Sequence, residues 1–78
     1  MKVRVRLVFP DSLVREPIIA RLVRDFAVEP DIRRAGVEAD SGWIVCELTG
    51  EPGPVQAALR WLGDSGVGVE RLGDVVES

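Results

Sequence analysis

Hydrophobic and polar residues alternate along the first segment of the chain, from Lys2 to Phe9. Alternation with a period of two, rich in β-branched residues, predicts a strand with one buried face. The run Pro10-Asp11-Ser12 predicts the turn that ends this strand. From Glu16 to Phe26 the apolar residues recur at helical spacing, and a proline stands near the first helical position. The first third of the chain therefore predicts a strand followed by an amphipathic helix.

The strand pattern returns between Val28 and Leu48, where Asp40-Ser41-Gly42 interrupts it. A turn cluster between two such runs predicts a β-hairpin. A turn centred on Asp40 and Ser41 gives one apolar face and one face with an opposite-charge pair, as a one-sided sheet requires. A three-residue loop would shift this register. The expected pairs are Val37 with Ile44, Ala35 with Cys46, Gly36 with Val45, and Arg34 with Glu47.

The last third of the chain predicts one more helix and one more strand. In the segment Val55–Leu62 apolar residues recur at i, i+3, i+4 and i+7, and glycines follow it. Residues 67–72 predict a short strand, and the remaining acidic residues predict a loose tail. We expect a single domain over residues 1–73 and a tail over residues 74–78.

The order β-α-β-β-α-β predicts an α+β fold of the ferredoxin-like class. In this sandwich a four-stranded antiparallel sheet carries two helices on one face. The face beneath the helices is expected to consist of Val3, Val5, Leu7, Phe9, Ala35, Val37, Ile44, Cys46, Leu48, Val67 and Val69.

Composition narrows the chemistry of this domain. The chain has 78 residues, a net charge of -3, one cysteine and no histidine. A zinc or iron–sulfur site held by side chains needs more Cys or His than this, so we expect no metal and no cofactor. Without a histidine beside Cys46, no nucleophile–base pair is evident, so we expect no catalytic residues and no enzyme activity. We also expect a cytoplasmic protein, because one cysteine allows no internal disulfide framework of the kind that small secreted domains use. We expect no membrane insertion, because no apolar run approaches ~18 residues.

The sheet face without helices is expected to carry a basic row on the central first strand, formed by Lys2, Arg4 and Arg6. One interpretation is nucleic-acid binding, because sheets of this class can stack bases on aromatic residues. The other is a charge ladder in which Glu47 and Glu70 neutralise the row. A net acidic chain with one candidate stacking aromatic favours the ladder, so we expect no nucleic-acid partner.

Four apolar residues are also expected on the open face: Val8, Ile32, Trp43 and Val45. Monomers tend to avoid such a patch. We therefore predict that these residues form the contact of a homodimer or of another protein partner. The alternative is that they are singly exposed apolar residues, which are common on protein surfaces.

Several segments, in this order and spacing, resemble one known family over roughly residues 3–72. They are Val5-Arg6-Leu7-Val8-Phe9, Glu16-Pro17-Ile18-Ile19, Pro30-Asp31-Ile32-Arg33-Arg34-Ala35, Gly42-Trp43-Ile44-Val45-Cys46-Glu47-Leu48-Thr49-Gly50, Ala57-Ala58-Leu59-Arg60-Trp61-Leu62 and Gly66-Val67. The chain is similar to the NIL domain. The resemblance implies a ferredoxin-like regulatory domain of methionine ABC transporter ATPases, which pairs as a dimer and binds methionine. Without an ATPase segment or a cysteine motif, this chain resembles the stand-alone members.

The resemblance also implies a ligand site on the second strand. The family is named for Asn-Ile-Leu, and the matching positions here are Asp31-Ile32-Arg33. Asp31 lacks the amide donors of asparagine, but it could receive an ammonium group while Arg33 or Arg34 receives a carboxylate. We expect methionine or a related amino acid to bind at Asp31, Ile32, Arg33 and Arg34, at a homodimer interface. The alternatives are an ordinary charged edge strand and a domain that docks on a transporter ATPase or a redox protein without a small molecule.

Overall fold

Four strands and two helices follow one another in the order β1-α1-β2-β3-α2-β4. The computed structural model describes residues 1–10, 17–38 and 41–75. The elements are β1 (Lys2–Pro10), α1 (Ile18–Phe26), β2 (Glu29–Glu38), β3 (Ser41–Thr49), α2 (Pro52–Asp64) and β4 (Gly68–Asp74). The predicted turn residues Asp11, Ser12 and Asp40, the predicted helix start at Glu16 and tail residues 76–78 lie outside the described residues.

The strands form one antiparallel sheet in the order β2-β3-β1-β4, so β1 lies in the centre and β2 and β4 form the edges. Along β1, Val3, Val5 and Leu7 are fully buried, whereas Arg4 is exposed. Residues of both helices, of β3 and of the segments before β2 and β4 join these strand residues in one core. They are Ile18, Leu22, Val28, Cys46, Leu48, Val55, Ala58, Leu62 and Val67. The predicted α+β ferredoxin-like architecture is confirmed.

The hairpin between β2 and β3 is confirmed, but its predicted register is wrong by two residues. Ala35 pairs with Ile44 and Gly36 pairs with Trp43. A shift of two keeps every side chain on its face, so the hydrophobic pattern could not distinguish the two registers. The observed register lets the Trp43 ring lie over Gly36, where any Cβ would come within 2.7 Å of the ring.

Two residues predicted for the core, Ala35 and Val37, are exposed, and Val37 retains 84% of its surface. The physical reason is the length of α1. Nine helical residues span roughly 14 Å, whereas the ten residues of β2 span roughly 33 Å. Within the described residues, the helix layer therefore ends before the hairpin tip and leaves the end of β2 uncovered.

The last strand is longer than predicted. It runs to Asp74 instead of ending at Leu72, and the Val75 N–H donates to the Lys2 carbonyl at 2.9 Å. The first two residues of the predicted acidic tail are therefore held against β1.

Candidate functional site

An apolar groove of about 570 Å³ lies where the helix layer ends, between the start of α1 and the tip of the β2–β3 hairpin. Its lining consists of Phe9, Pro17, Ile18, Ile19, Ala20, Ala35, Gly36, Val37, Gly42, Trp43 and Ile44. No charged side chain is present among these described lining residues. A groove of this size and character can hold a small apolar group, because ligand sites are concave and mainly apolar.

Four wall residues of this groove were predicted as core, namely Phe9, Ala35, Val37 and Ile44, whereas Trp43 was predicted as part of a dimer or partner contact. Phe9, Ala35 and Ile44 do lie on the helix-covered face, as the alternation of their strands requires. They line a groove because α1 stops short of them, with Ile18 and Ile19 at its near end. The signal available in the sequence was the difference in length between the helical segment and the hairpin strands.

The four predicted ligand residues lie on β2 but do not share one face. A β-bulge between Ile32 and Arg34 changes the register of the strand. Asp31 lies opposite Glu47 and Arg34 lies opposite Val45, on the face without helices. Arg33 is the bulged residue, and its Nη1 donates to Asp31 Oδ2 at 3.1 Å.

The predicted position of Ile32 on the open face is wrong. Ile32 lies opposite Cys46, whose side chain points into the core, and it retains 52% of its surface. The bulge explains the difference, because an inserted residue reverses the alternation of the residues before it. Ile32 and Ala35 therefore belong to one face, so Ile32 extends the apolar edge on which the groove opens.

The basic row of the open face is paired with acidic residues, as the charge-ladder interpretation predicted. Arg4 donates to Glu47 Oε2 from Nε at 3.1 Å and from Nη2 at 2.6 Å. Arg6 lies 3.9 Å from Glu70. These contacts use much of the positive charge that a nucleic-acid surface would need.

The other predicted contact residues, Val8, Trp43 and Val45, are partly buried on the open face. The Trp43 ring lies over Gly36, and the Arg6 guanidinium lies 5.6 Å from the ring centroid. Their role in a dimer or in partner contact stays a prediction.

Cys46 has the properties of a structural residue. Its side chain is fully buried, and burial, with a smaller contribution from the charge of Asp31, raises the pKa of the thiol to about 11. A thiol held protonated is a poor nucleophile and a poor metal ligand.

Within residues 1–10, 17–38 and 41–75, no group of three or more His, Cys, Asp or Glu residues could hold a metal ion. In the same ranges no helix has the length and apolarity needed to cross a membrane.

Comparison with known proteins assigns the chain to a family. The family model described as the NIL domain matches residues 3–71. The chain belongs to the NIL domain family. Among its relatives is the methionine import ATP-binding protein MetN of Chromohalobacter salexigens, 39% identical over 75 residues, which are 91% of this chain and 22% of that protein. The protein of the same name in Symbiobacterium thermophilum is 38% identical over 72 residues, 87% of this chain and 22% of that protein.

A solved structure extends the likeness to three dimensions. The C-terminal domain of an ABC transporter ATP-binding protein from Enterococcus faecalis superimposes with a TM-score of 0.80 at 27% identity. The alignment covers 94% of this chain and 86% of that domain. The chain thus spans most of a domain of this kind but only 22% of the length of its full-length relatives.

Proposed function

We propose that this NIL domain is a cytoplasmic regulatory module that binds methionine or a related sulfur-containing amino acid and works as a homodimer. The observation that carries the proposal is the apolar groove of a NIL domain, whose wall residue Ala35 directly follows the charged segment Asp31–Arg34 along β2. The related proteins are named as methionine importers, which supports this class of ligand.

The groove suits the apolar side chain of such a ligand, and the charged segment suits its ammonium and carboxylate groups. A thioether side chain is apolar and polarisable, and it suits the aliphatic and aromatic walls around Phe9 and Ile44. Asp31 can receive the ammonium group, and Arg33 or Arg34 can receive the carboxylate. The existing Asp31–Arg33 ion pair is exposed, so exchanging it for ligand contacts costs little free energy.

A second copy of the chain can cover the edge strand. Ile32 and Val37 keep 52% and 84% of their surface, and Val23 on α1 keeps 49%. Edge strands with exposed apolar residues invite pairing, and a homodimer would bury them. The proposed ligand would then lie next to the interface, so that its binding affects how the two copies pair.

Calorimetric titration with L-methionine tests the ligand site. We expect saturable binding by the unchanged chain and at least about tenfold weaker binding by Asp31→Ala, since a charged contact contributes roughly 1.5–3 kcal/mol. Asp74→Ala is the matched control, because Asp74 lies on the other edge strand and its ion pair with Arg71 is equally exposed. Equal affinities for all three proteins would remove the site assignment.

A second candidate function is a domain that docks on a transporter ATPase or a redox protein without a small molecule. The observation in its favour is the groove itself, because its described lining offers no charged partner to a zwitterion. In that case calorimetry shows no heat with any sulfur amino acid. The chain would instead form a complex with a purified importer ATPase, and Val37→Lys would weaken that complex.

A further inference from the structure

Arg34, on the open face, has no carboxylate partner among residues 1–10, 17–38 and 41–75. Arg4 is paired with Glu47 and Arg6 lies near Glu70. Arg34 lies on the same face, opposite Val45, yet it makes no ion pair or hydrogen bond with any residue in the described part of the chain. A solvent-exposed cation beside a largely neutralised surface is available to an anion from solution.

Arg34 lies near Trp43 in the strand register. The Trp43 ring covers Gly36. Gly36 and Arg34 are two residues apart along β2, so their Cα atoms are roughly 7 Å apart. The Arg6 guanidinium lies over the Trp43 ring, 5.6 Å from the ring centroid. Arg6 on β1 and Arg34 on β2 both lie opposite Val45 of β3, so the two arginines flank the same position, two residues from Trp43.

The Arg6 contacts can be exchanged. Its separation of 3.9 Å from Glu70 is at the long end for an ion pair, and both side chains are substantially exposed. Such a pair contributes little to stability. Arg6 can therefore turn toward a stronger anion without a large cost to the fold.

We infer that this corner of the open face, formed by Trp43, Arg34 and Arg6, binds a planar aromatic ring that carries an anionic group, of the class of nucleoside monophosphates. The ring stacks on Trp43, because every base has a π-face that an indole can receive. The phosphate lies over Val45, within reach of the two arginines, whose planar forks match phosphate geometry. This site shares Trp43 with the lining of the groove, but it adds two arginines that the groove lacks, and the inference does not rest on methionine binding.

The same observations favour a single nucleotide over a nucleic-acid chain. The described part of the open face offers one stacking ring, that of Trp43. Arg4, the middle residue of the basic row, is already paired with Glu47 at 2.6 Å. A strand of nucleic acid needs successive stacking residues and a continuous basic path. One ring and one free guanidinium match one base and one phosphate.

The test is a titration of the unchanged chain with AMP, followed by the indole N–H signals in nuclear magnetic resonance spectra. The chain has two tryptophans, and Trp61 lies on α2 beside Phe26, on the other side of the sheet. We expect the Trp43 signal to shift in a saturable way, with a dissociation constant on the order of 1 mM or below, while the Trp61 signal stays in place. The Trp61→Phe variant assigns the two signals.

Three further arms define the ligand and the site. Adenosine is expected to bind about tenfold more weakly than AMP, and inorganic phosphate alone is expected to leave the Trp43 signal unmoved. Arg34→Gln is expected to weaken AMP binding about tenfold, whereas Arg24→Gln, an exposed arginine on α1, leaves it unchanged. A Trp43 signal that AMP does not move, or equal AMP affinity in the Arg34→Gln variant, would overturn the inference.

Discussion

Ala27 ends α1 in the left-handed conformation, with φ of 53° and ψ of 40°. Only glycine adopts this conformation without steric cost, because the Cβ of other residues crowds the following carbonyl oxygen. No glycine stands at this position to indicate the end of the helix, so the prediction of a helix end at Phe26 rested on the apolar pattern alone.

Replacement of Ala27 by glycine is expected to stabilise the domain by about 0.5–1 kcal/mol, because relief of the strained conformation exceeds the added entropy of the unfolded chain. Urea unfolding followed by circular dichroism measures this difference. The control is Ala57→Gly, an exposed position inside α2, where the same exchange should destabilise by about 1 kcal/mol. A loss of stability in both variants would contradict the strain at Ala27.

At the scale of whole elements, the order of strands and helices was predictable because each follows one hydrophobic period. Val3, Val5 and Leu7 alternate on β1 and are fully buried, as predicted. The hairpin register was not predictable, because a two-residue shift preserves the faces and depends on the packing of Trp43 over Gly36. The bulge that turns Ile32 to the other face has no signal in the alternation itself.

The candidate groove follows from the relative lengths of elements, and this could be predicted only in part. The pattern assigned Ala35 and Val37 to the correct face of β2. It did not show that α1 ends before it reaches them. Burial depends on what another element covers, so a pattern within one strand cannot report it.

Val37, at the uncovered end of β2, and Val5, in the buried centre of β1, should differ in what their replacement by alanine does to stability. Val37→Ala should change the free energy of unfolding by less than about 0.5 kcal/mol, since the side chain is 84% exposed. Val5→Ala, on the fully buried centre of β1, should cost about 2–3 kcal/mol. Chemical denaturation at concentrations where the chain is monomeric compares the two. A large cost at Val37 would show that the helix layer reaches the hairpin tip.

At the scale of the whole molecule, the buried thiol links stability to alkaline pH. Folding raises the pKa of Cys46 to about 11 from its usual value near 9.0. Between these values the unfolded chain loses the thiol proton while the folded chain keeps it, so stability falls as pH rises. Thermal unfolding should therefore show a steeper decline from about pH 9 to pH 11 in the unchanged chain than in Cys46→Ala. Parallel pH profiles would contradict this assignment.

The proposed regulatory role unites the groove, the charged segment Asp31–Arg34 and the uncovered edge of β2. Each feature is small, and none would indicate an amino-acid sensor without the other two. Together they combine an apolar cavity at the hairpin end of β2, charges of both signs along that strand and a pairing edge in a single NIL domain.

The most direct test of this central claim is the thermal stability of the purified chain with millimolar L-methionine, S-adenosylmethionine, homocysteine or cysteine, and with L-leucine as an apolar control. A ligand at 100 times its dissociation constant stabilises the folded state by about 2.7 kcal/mol, which raises Tm by several degrees or more in a domain of this size. We expect such a rise with at least one sulfur compound and not with leucine. An unchanged Tm with every sulfur compound would contradict the sensor and favour the docking domain.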